Sequence, residues 1–249
     1  MLISILVSGV VVFFTHALEA VTGFGCSVLA MPFVTALLGM RQGVIVITIL
    51  AWILALYIVI TKRKMIDFKQ YAVICGCMLI GLPAGMYLFR VFDVLILKRI
   101  LAVFIIVVSV WQLCVRLVRR DKPLSRDLPR GAAAIPYYAI LVCGGIVHGM
   151  FSSGGPLAVI YASRALPDKG KFRATLCLLW ATLNTVIIVT YLIEGAVTPS
   201  IAGTTGALVP FVIAGIVVGE KVHDKLDERI FSVVVFAMLL ATGCFMLFL

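Results

Sequence analysis

Two short stretches carry the residue types that do chemistry. The first reads Thr15-His16-Ala17-Leu18-Glu19-Ala20-Val21-Thr22-Gly23-Phe24-Gly25-Cys26-Ser27, and the second reads Val147-His148-Gly149-Met150-Phe151-Ser152-Ser153-Gly154-Gly155-Pro156. Each places a histidine shortly before a glycine pair that opens a new apolar run. Glycine permits the chain to unwind sharply, and a helix that restarts after such a break presents unpaired N–H groups at the positive end of its dipole. Two such N-termini converging would bind an anion without a formal positive charge. Pro156 suits the first turn of a restarting helix, where its missing N–H costs nothing. The competing explanation is that these glycines serve only close helix packing; a position used twice is better explained by a site.

Around the breaks, Thr22, Ser152 and Ser153 are hydroxyls suited to an oxyanion, although in membrane helices such hydroxyls usually bond back to the preceding turn. His16 and His148 can bind an anion as imidazolium, relay protons, or hydrogen-bond within a bundle. Glu19, one helical step beyond His16 on the same face, can couple protons or sit at an interface. Thr175 and Asn184 are polar positions in the apolar run 174–193, and a primary amide in hydrocarbon needs partners. The expected anion site is therefore Thr22, Gly23, Gly25, His148, Ser152, Ser153, Gly154, Gly155, Thr175 and Asn184, with His148, His16 and Glu19 as proton carriers. Trp52 and Trp180 lie mid-segment, by default as packing and alternatively as a pocket wall.

The elements that must position these residues follow from composition. Of 249 residues, 63% are hydrophobic and 13% charged, with a mean hydropathy of +1.20. That excludes a soluble enzyme, a disordered chain and a disulfide-stapled secreted module, because the chain has too little polar surface to coat a globule in water. An all-α integral membrane protein is expected, with membrane lipids as its solvent. The net charge of +10 reflects orientation in the bilayer and not nucleic-acid binding, since Lys and Arg fall between the apolar runs. Ten such runs are read, at approximately 1–17, 24–38, 43–61, 70–89, 94–115, 135–150, 154–167, 174–193, 200–219 and 230–249. The pairs within 1–38 and 135–167 are too short for two comfortable spans and are read as broken or re-entrant helices.

With the N-terminus outside and the runs alternating, 17 of the 21 Lys and Arg residues fall on the inner side, six of them between Arg116 and Arg130. The positive-inside bias thus places both termini outside. The apolar start at Met1 to Phe14 lacks a basic flank, so no removable signal peptide is expected. The seven cysteines lie in apolar stretches and point to no disulfide framework, zinc site or cofactor. Cys26, beside the first break, supports an alternative of a different class, a membrane-embedded thiol redox protein or sulfur carrier.

A shift of 130 residues superposes Gly25 on Gly155, Gly76 on Gly206, Gly85 on Gly215 and Arg99 on Arg229, together with several apolar identities. Five runs per half means that the halves cross in opposite directions. The expected organisation is a first membrane repeat at 1–115, a cytoplasmic linker at 116–134 and a second repeat at 135–249, an inverted repeat with a substrate site near the midplane.

At these residues the chain resembles the sulfite exporter TauE/SafE family, also called the toluene sulfonate uptake permeases. The likeness rests on the glycine break followed by Pro32 and on the second break at Gly154-Gly155-Pro156. It continues through Lys171-Phe172-Arg173-Ala174-Thr175, opening a helix that carries Asn184 and ends before Glu194-Gly195. The departure is at the first break, where Gly23-Phe24-Gly25-Cys26-Ser27 stands in place of a family-like glycine run. The resemblance implies a secondary transporter, not an enzyme, in a bacterial inner membrane. It would move sulfite, sulfonates or related small organic anions, commonly in export and with protons as coupling partners, as a monomer or a homodimer.

Overall fold

A computed structural model describes residues 2–118, 131–222 and 228–248. Among them there are ten α-helices and no strand. They are α1 (Leu2–Thr22), α2 (Cys26–Leu38), α3 (Met40–Lys62), α4 (Phe68–Val91), α5 (Val94–Val118), α6 (Ile135–Phe151), α7 (Gly155–Ala165), α8 (Lys169–Ile193), α9 (Pro199–Val222) and α10 (Glu228–Phe248). The ten apolar runs correspond to these helices one for one. The largest boundary differences, five residues each, are at the first, which continues through Glu19 to Thr22, and at the eighth, which already begins at Lys169. Most of the basic linker, residues 119–130, lies outside the described residues.

Six of the helices, α1, α3, α4, α5, α8 and α9, are long and apolar enough to cross a membrane, while α2 and α6 are shorter apolar helices. The chain is thus an all-helical, multi-pass membrane protein. Large apolar side chains on its outside, among them Ile80, Ile193, Tyr87 and Val107, are more than half exposed and suit lipid rather than water.

Local signals set the helix starts. Asp67 caps α4 by accepting from Gln70 N at 3.0 Å, and Asp168 caps α8 by accepting from Lys171 N at 2.8 Å. Pro156 sits in the first turn of α7, where no N–H is required. The α6–α7 pair is a hairpin that returns to the side it left. Tyr161 near the end of α7 donates to Gln70 at the start of α4 (3.0 Å), and Arg164 lies 5.0 Å over the ring of Tyr137 at the start of α6.

Helices α3 and α8 pack on each other at the centre, and both are deeply buried, α3 at Val44, Ile47, Leu50, Leu54 and Ile58 and α8 at Leu176, Leu179, Leu183 and Ile187. Both series recur at three or four residues, the spacing of one helix face. Around them α4 pairs with α6, α1 with α9, and α5 with α10. The first two pairings depend on glycine. A Cβ at Gly81 or Gly85 of α4 would overlap Val142 O or Ile146 O of α6, and one at Gly215 would reach Phe13 O of α1 at 2.6 Å. In hydrocarbon, where apolar surface gives no drive to associate, such backbone approach supplies the packing energy. Gly85→Ala is accordingly expected to cost about 1–3 kcal/mol of stability by overpacking. Gly76→Ala, which meets nothing within 4 Å, is expected to be neutral. Thermal unfolding of the two purified variants in one detergent checks the pair.

Candidate functional site

The first break is held open by left-handed glycines, Gly23 at φ 81° and Gly25 at φ 109°, a region that disfavours any side chain. Gly23 also has no room for one, because a Cβ would stand 2.7 Å from Arg173 Cα. Its carbonyl accepts from Trp180 Nε1 at 3.0 Å, which ties the break to α8. Glu19, 3% exposed, reaches across the break, and its Oε2 accepts from Cys26 N at 2.7 Å. A carboxylate of the chain itself thus caps α2. It takes up one of the N–H groups that a restarting helix leaves free.

The second break is built differently. Ser152 takes a left-handed conformation at φ 49°, rare for a residue with a side chain, and its N–H bonds back to His148 O at 2.7 Å. Gly154 packs against Gly144 O and the His148 side chain, leaving no space for a Cβ. Gly154 at the N-cap of α7 offers no side chain, and among the described residues no side chain bonds to its first-turn N–H groups. Gly155 is under no such crowding: the nearest atoms a Cβ there would meet belong to Trp180 and Phe24, at 3.8 and 3.9 Å.

The two breaks face each other across a small cavity. Glu19, Gly25, Ser27 and Val28 line it from the first break. His148, Ser152, Ser153 and Gly155 line it from the second, and Ala51 of α3 with Trp180 and Asn184 of α8 complete the wall. His148 is 2% exposed and stacks on Trp180 with ring centroids 5.3 Å apart. Its Nε2 lies 3.0 Å from Asn184 Oδ1, while its Nδ1 is buried without a partner. The Asn184 carbonyl can only accept, so Nε2 carries the proton.

The cavity thus gathers Gly25, His148, Ser152, Ser153, Gly155 and Asn184 of the expected anion site, with Glu19 of the expected proton carriers. The others stand behind it. Thr22 Oγ1 lies 2.8 Å from Phe24 O and 3.0 Å from Leu18 O, securing the turn, and Gly23 and Gly154 are packing glycines. Thr175 Oγ1 accepts from Asp67 N at 3.0 Å and so fixes the start of α4. His16, fully buried, bonds through Nδ1 to Val12 O at 2.8 Å and lies under Gly215 of α9. Trp52 donates to Thr185 at 2.8 Å, away from the cavity, whereas Trp180 is a wall of it. The Cys26 thiol, which the redox alternative needs accessible to water, is 0% exposed.

Sequence reasoning missed Ser27, Val28 and Ala51 in the lining, and Thr48 behind it. Thr48 was detectable as a hydroxyl in the middle of the apolar run of α3. Its Oγ1 lies 2.6 Å from Ser152 Oγ and joins the second break to the central helix pair.

The fold is thus a multi-pass helical bundle that buries polar groups and two helix breaks around a small cavity. The model of the family described as sulfite exporter TauE/SafE matches residues 8–246, and the chain belongs to that family. No curated protein and no solved structure matches the chain.

Proposed function

We propose that the protein is a secondary transporter of small sulfur oxyanions, sulfite or an organosulfonate. The anion binds between the two breaks, and access to it alternates between the two sides of the membrane. The observation that carries this reading is the N-terminus of α7, to which no described side chain bonds, opening on the same cavity as His148 and Asn184. A helix N-terminus favours negative charge, so its free N–H groups fit an anion. Asn184 supplies a further donor, and Gly155 leaves the space that the ligand fills.

The alternation is proposed to come from two five-helix repeats of opposite direction, α1–α5 and α6–α10. The pairings support this: α1 on α9 corresponds to α6 on α4 when the halves are exchanged, and α3 on α8 and α5 on α10 correspond to themselves. Proton coupling is assigned to His148, with Glu19 across the cavity; His16 lies off the path. The proposed setting is a bacterial inner membrane with both termini outside, on the strength of the basic residues gathered on one side. A cysteine introduced between residues 119 and 130 is expected to resist an impermeant thiol reagent added to intact cells. Labelling from outside would reverse the topology.

Binding is tested on the purified protein with a thermal-shift panel of sulfite, sulfate, thiosulfate, methanesulfonate and acetate. A ligand present at a hundred times its Kd stabilises by about 2.7 kcal/mol. A shift with sulfur oxyanions and none with acetate is expected; no shift with any anion would remove the reading.

A further inference from the structure

Two ion-pair clusters stand at opposite ends of the bundle and mirror each other with their charges exchanged. At the end proposed to face outward, Arg90 in the last turn of α4 pairs with Glu194 at the C-cap of α8, Nη1 to Oε1 at 3.0 Å. At the end proposed to face inward, Glu220 in the last turn of α9 pairs with Lys62, the last residue of α3, Oε2 to Nζ at 3.8 Å, and also with Arg173 near the start of α8. When the halves are exchanged, α4 becomes α9 and α8 becomes α3, so the pair between α4 and α8 becomes the pair between α9 and α3. Arg90 and Glu220 stand 130 residues apart, in the register of the sequence repeat. Arg41, the second residue of α3, donates to Arg90 O and Phe92 O at 3.3 and 3.2 Å. It marks the outer end of α3, roughly 30 Å from Lys62 at the rise of an α-helix.

Each cluster ties one of the two breaks to the central helices. The second break ends α6, which packs on α4 through Gly81 and Gly85, and α4 carries Arg90. The first break ends α1, which packs on α9 through Gly215 and Gly219, and α9 carries Glu220. We infer that Arg90–Glu194 and the Glu220 cluster are two latches that open in alternation, the first to let the cavity reach the outer side and the second to let it reach the inner side. Both are formed in the structure. The inference rests on the alternating access proposed above and names the residues that carry it. An exposed ion pair shifts an equilibrium by up to about fivefold. That is too little to hold a fold together and enough to bias two nearly balanced states. The inner latch is the stronger, because Arg173 is 5% exposed and without Glu220 its buried charge stays uncompensated until that end opens to water.

The test holds each latch shut and asks whether sulfite still crosses. Arg90→Cys with Glu194→Cys, and separately Lys62→Cys with Glu220→Cys, are reconstituted in proteoliposomes and treated with a short bifunctional methanethiosulfonate, whose bridge a reductant removes. The wild-type protein with its seven cysteines, and a monofunctional methanethiosulfonate, are the controls. A step that gates every cycle stops transport when it is blocked, so bridging either pair is expected to lower sulfite flux at least about tenfold. Flux is expected to return on reduction and to survive the monofunctional reagent. Undiminished flux through protein that mass spectrometry shows to be bridged at either pair would overturn the inference and leave the transporter standing, because an ion pair that merely stabilises the fold has no need to part. A wild-type protein that moves none of the anions of the thermal-shift panel would remove alternating access and the inference together. Should one double variant fail to fold, the other pair decides alone.

Discussion

Gly155→Leu is expected to insert and fold as the wild type does and to lose anion transport. Gly155 is the lining glycine of the second break at which a Cβ meets nothing closer than ordinary van der Waals contact, with Trp180 and Phe24 as its nearest neighbours. Its backbone is not in the left-handed region, so a leucine there carries no conformational strain. The isobutyl group instead fills the volume in front of the α7 N-terminus, where backbone would approach the anion. Flux is expected to fall at least about a hundredfold, by analogy with the loss that small displacements cause at an organised site, while the melting temperature stays within a few degrees. Gly155→Ala is expected to retain part of the flux. Gly154→Ala one residue earlier should fail differently, losing the folded protein, because its Cβ has no room beside Gly144 O. Flux into proteoliposomes, with gel filtration and thermal unfolding of each variant, separates the two failures. Wild-type flux in Gly155→Leu would place the pathway elsewhere.

His148→Gln is expected to abolish the response of uptake to an imposed pH gradient, and His16→Gln to preserve it. Moving one anion inward against 100 mV costs about 2.3 kcal/mol, so uptake needs a compensating cation. With one proton per anion, each unit of inward pH gradient raises the accumulation ratio about tenfold, the factor that about 1.4 kcal/mol represents. Both histidines are buried, but of the two only His148 lines the cavity; His16 does not, and is engaged through Nδ1 with Val12 O. A glutamine at 148 still accepts a hydrogen bond and cannot take up a proton at any working pH. The readout is the accumulation ratio in proteoliposomes at several pH gradients and a clamped voltage. An unchanged slope in His148→Gln would make His148 a packing residue and export as a uniporter the simpler account.

The helices were legible because apolar runs bounded by Pro, Gly and charge are written directly in the chain, and the bilayer enforces helix within each of them. The breaks were legible for the same reason in reverse: Gly23, Gly25, Gly154 and Gly155 interrupt runs that would otherwise continue. Which residues at a break face inward was not legible. Thr22 and Thr175 have the right chemistry and yet bond locally, to Leu18 and Phe24 and to the Asp67 N–H, because a hydroxyl in an apolar setting takes the nearest backbone group. His16 and His148 look equivalent in sequence. They diverge because His148 lies one helical turn before the break and its ring reaches Asn184, whereas the helix runs on for six residues beyond His16. Glu19 was ambiguous between a coupling group and an interfacial one. Its length from the end of α1 lets it return to cap α2, a relation that requires the turn at Gly23 and Gly25 to be known first.

The central claim, that an anion sits where the two breaks meet, is tested most directly by locating one. Selenite, a heavier analogue of sulfite with strong anomalous scattering, can be soaked into crystals of the wild-type protein and of Gly155→Leu. A selenium peak is predicted in the wild type within hydrogen-bonding reach of the α7 N-terminus and of His148, and no peak there in the variant. A peak seated elsewhere along the bundle, or one that persists unchanged in Gly155→Leu, would contradict the account.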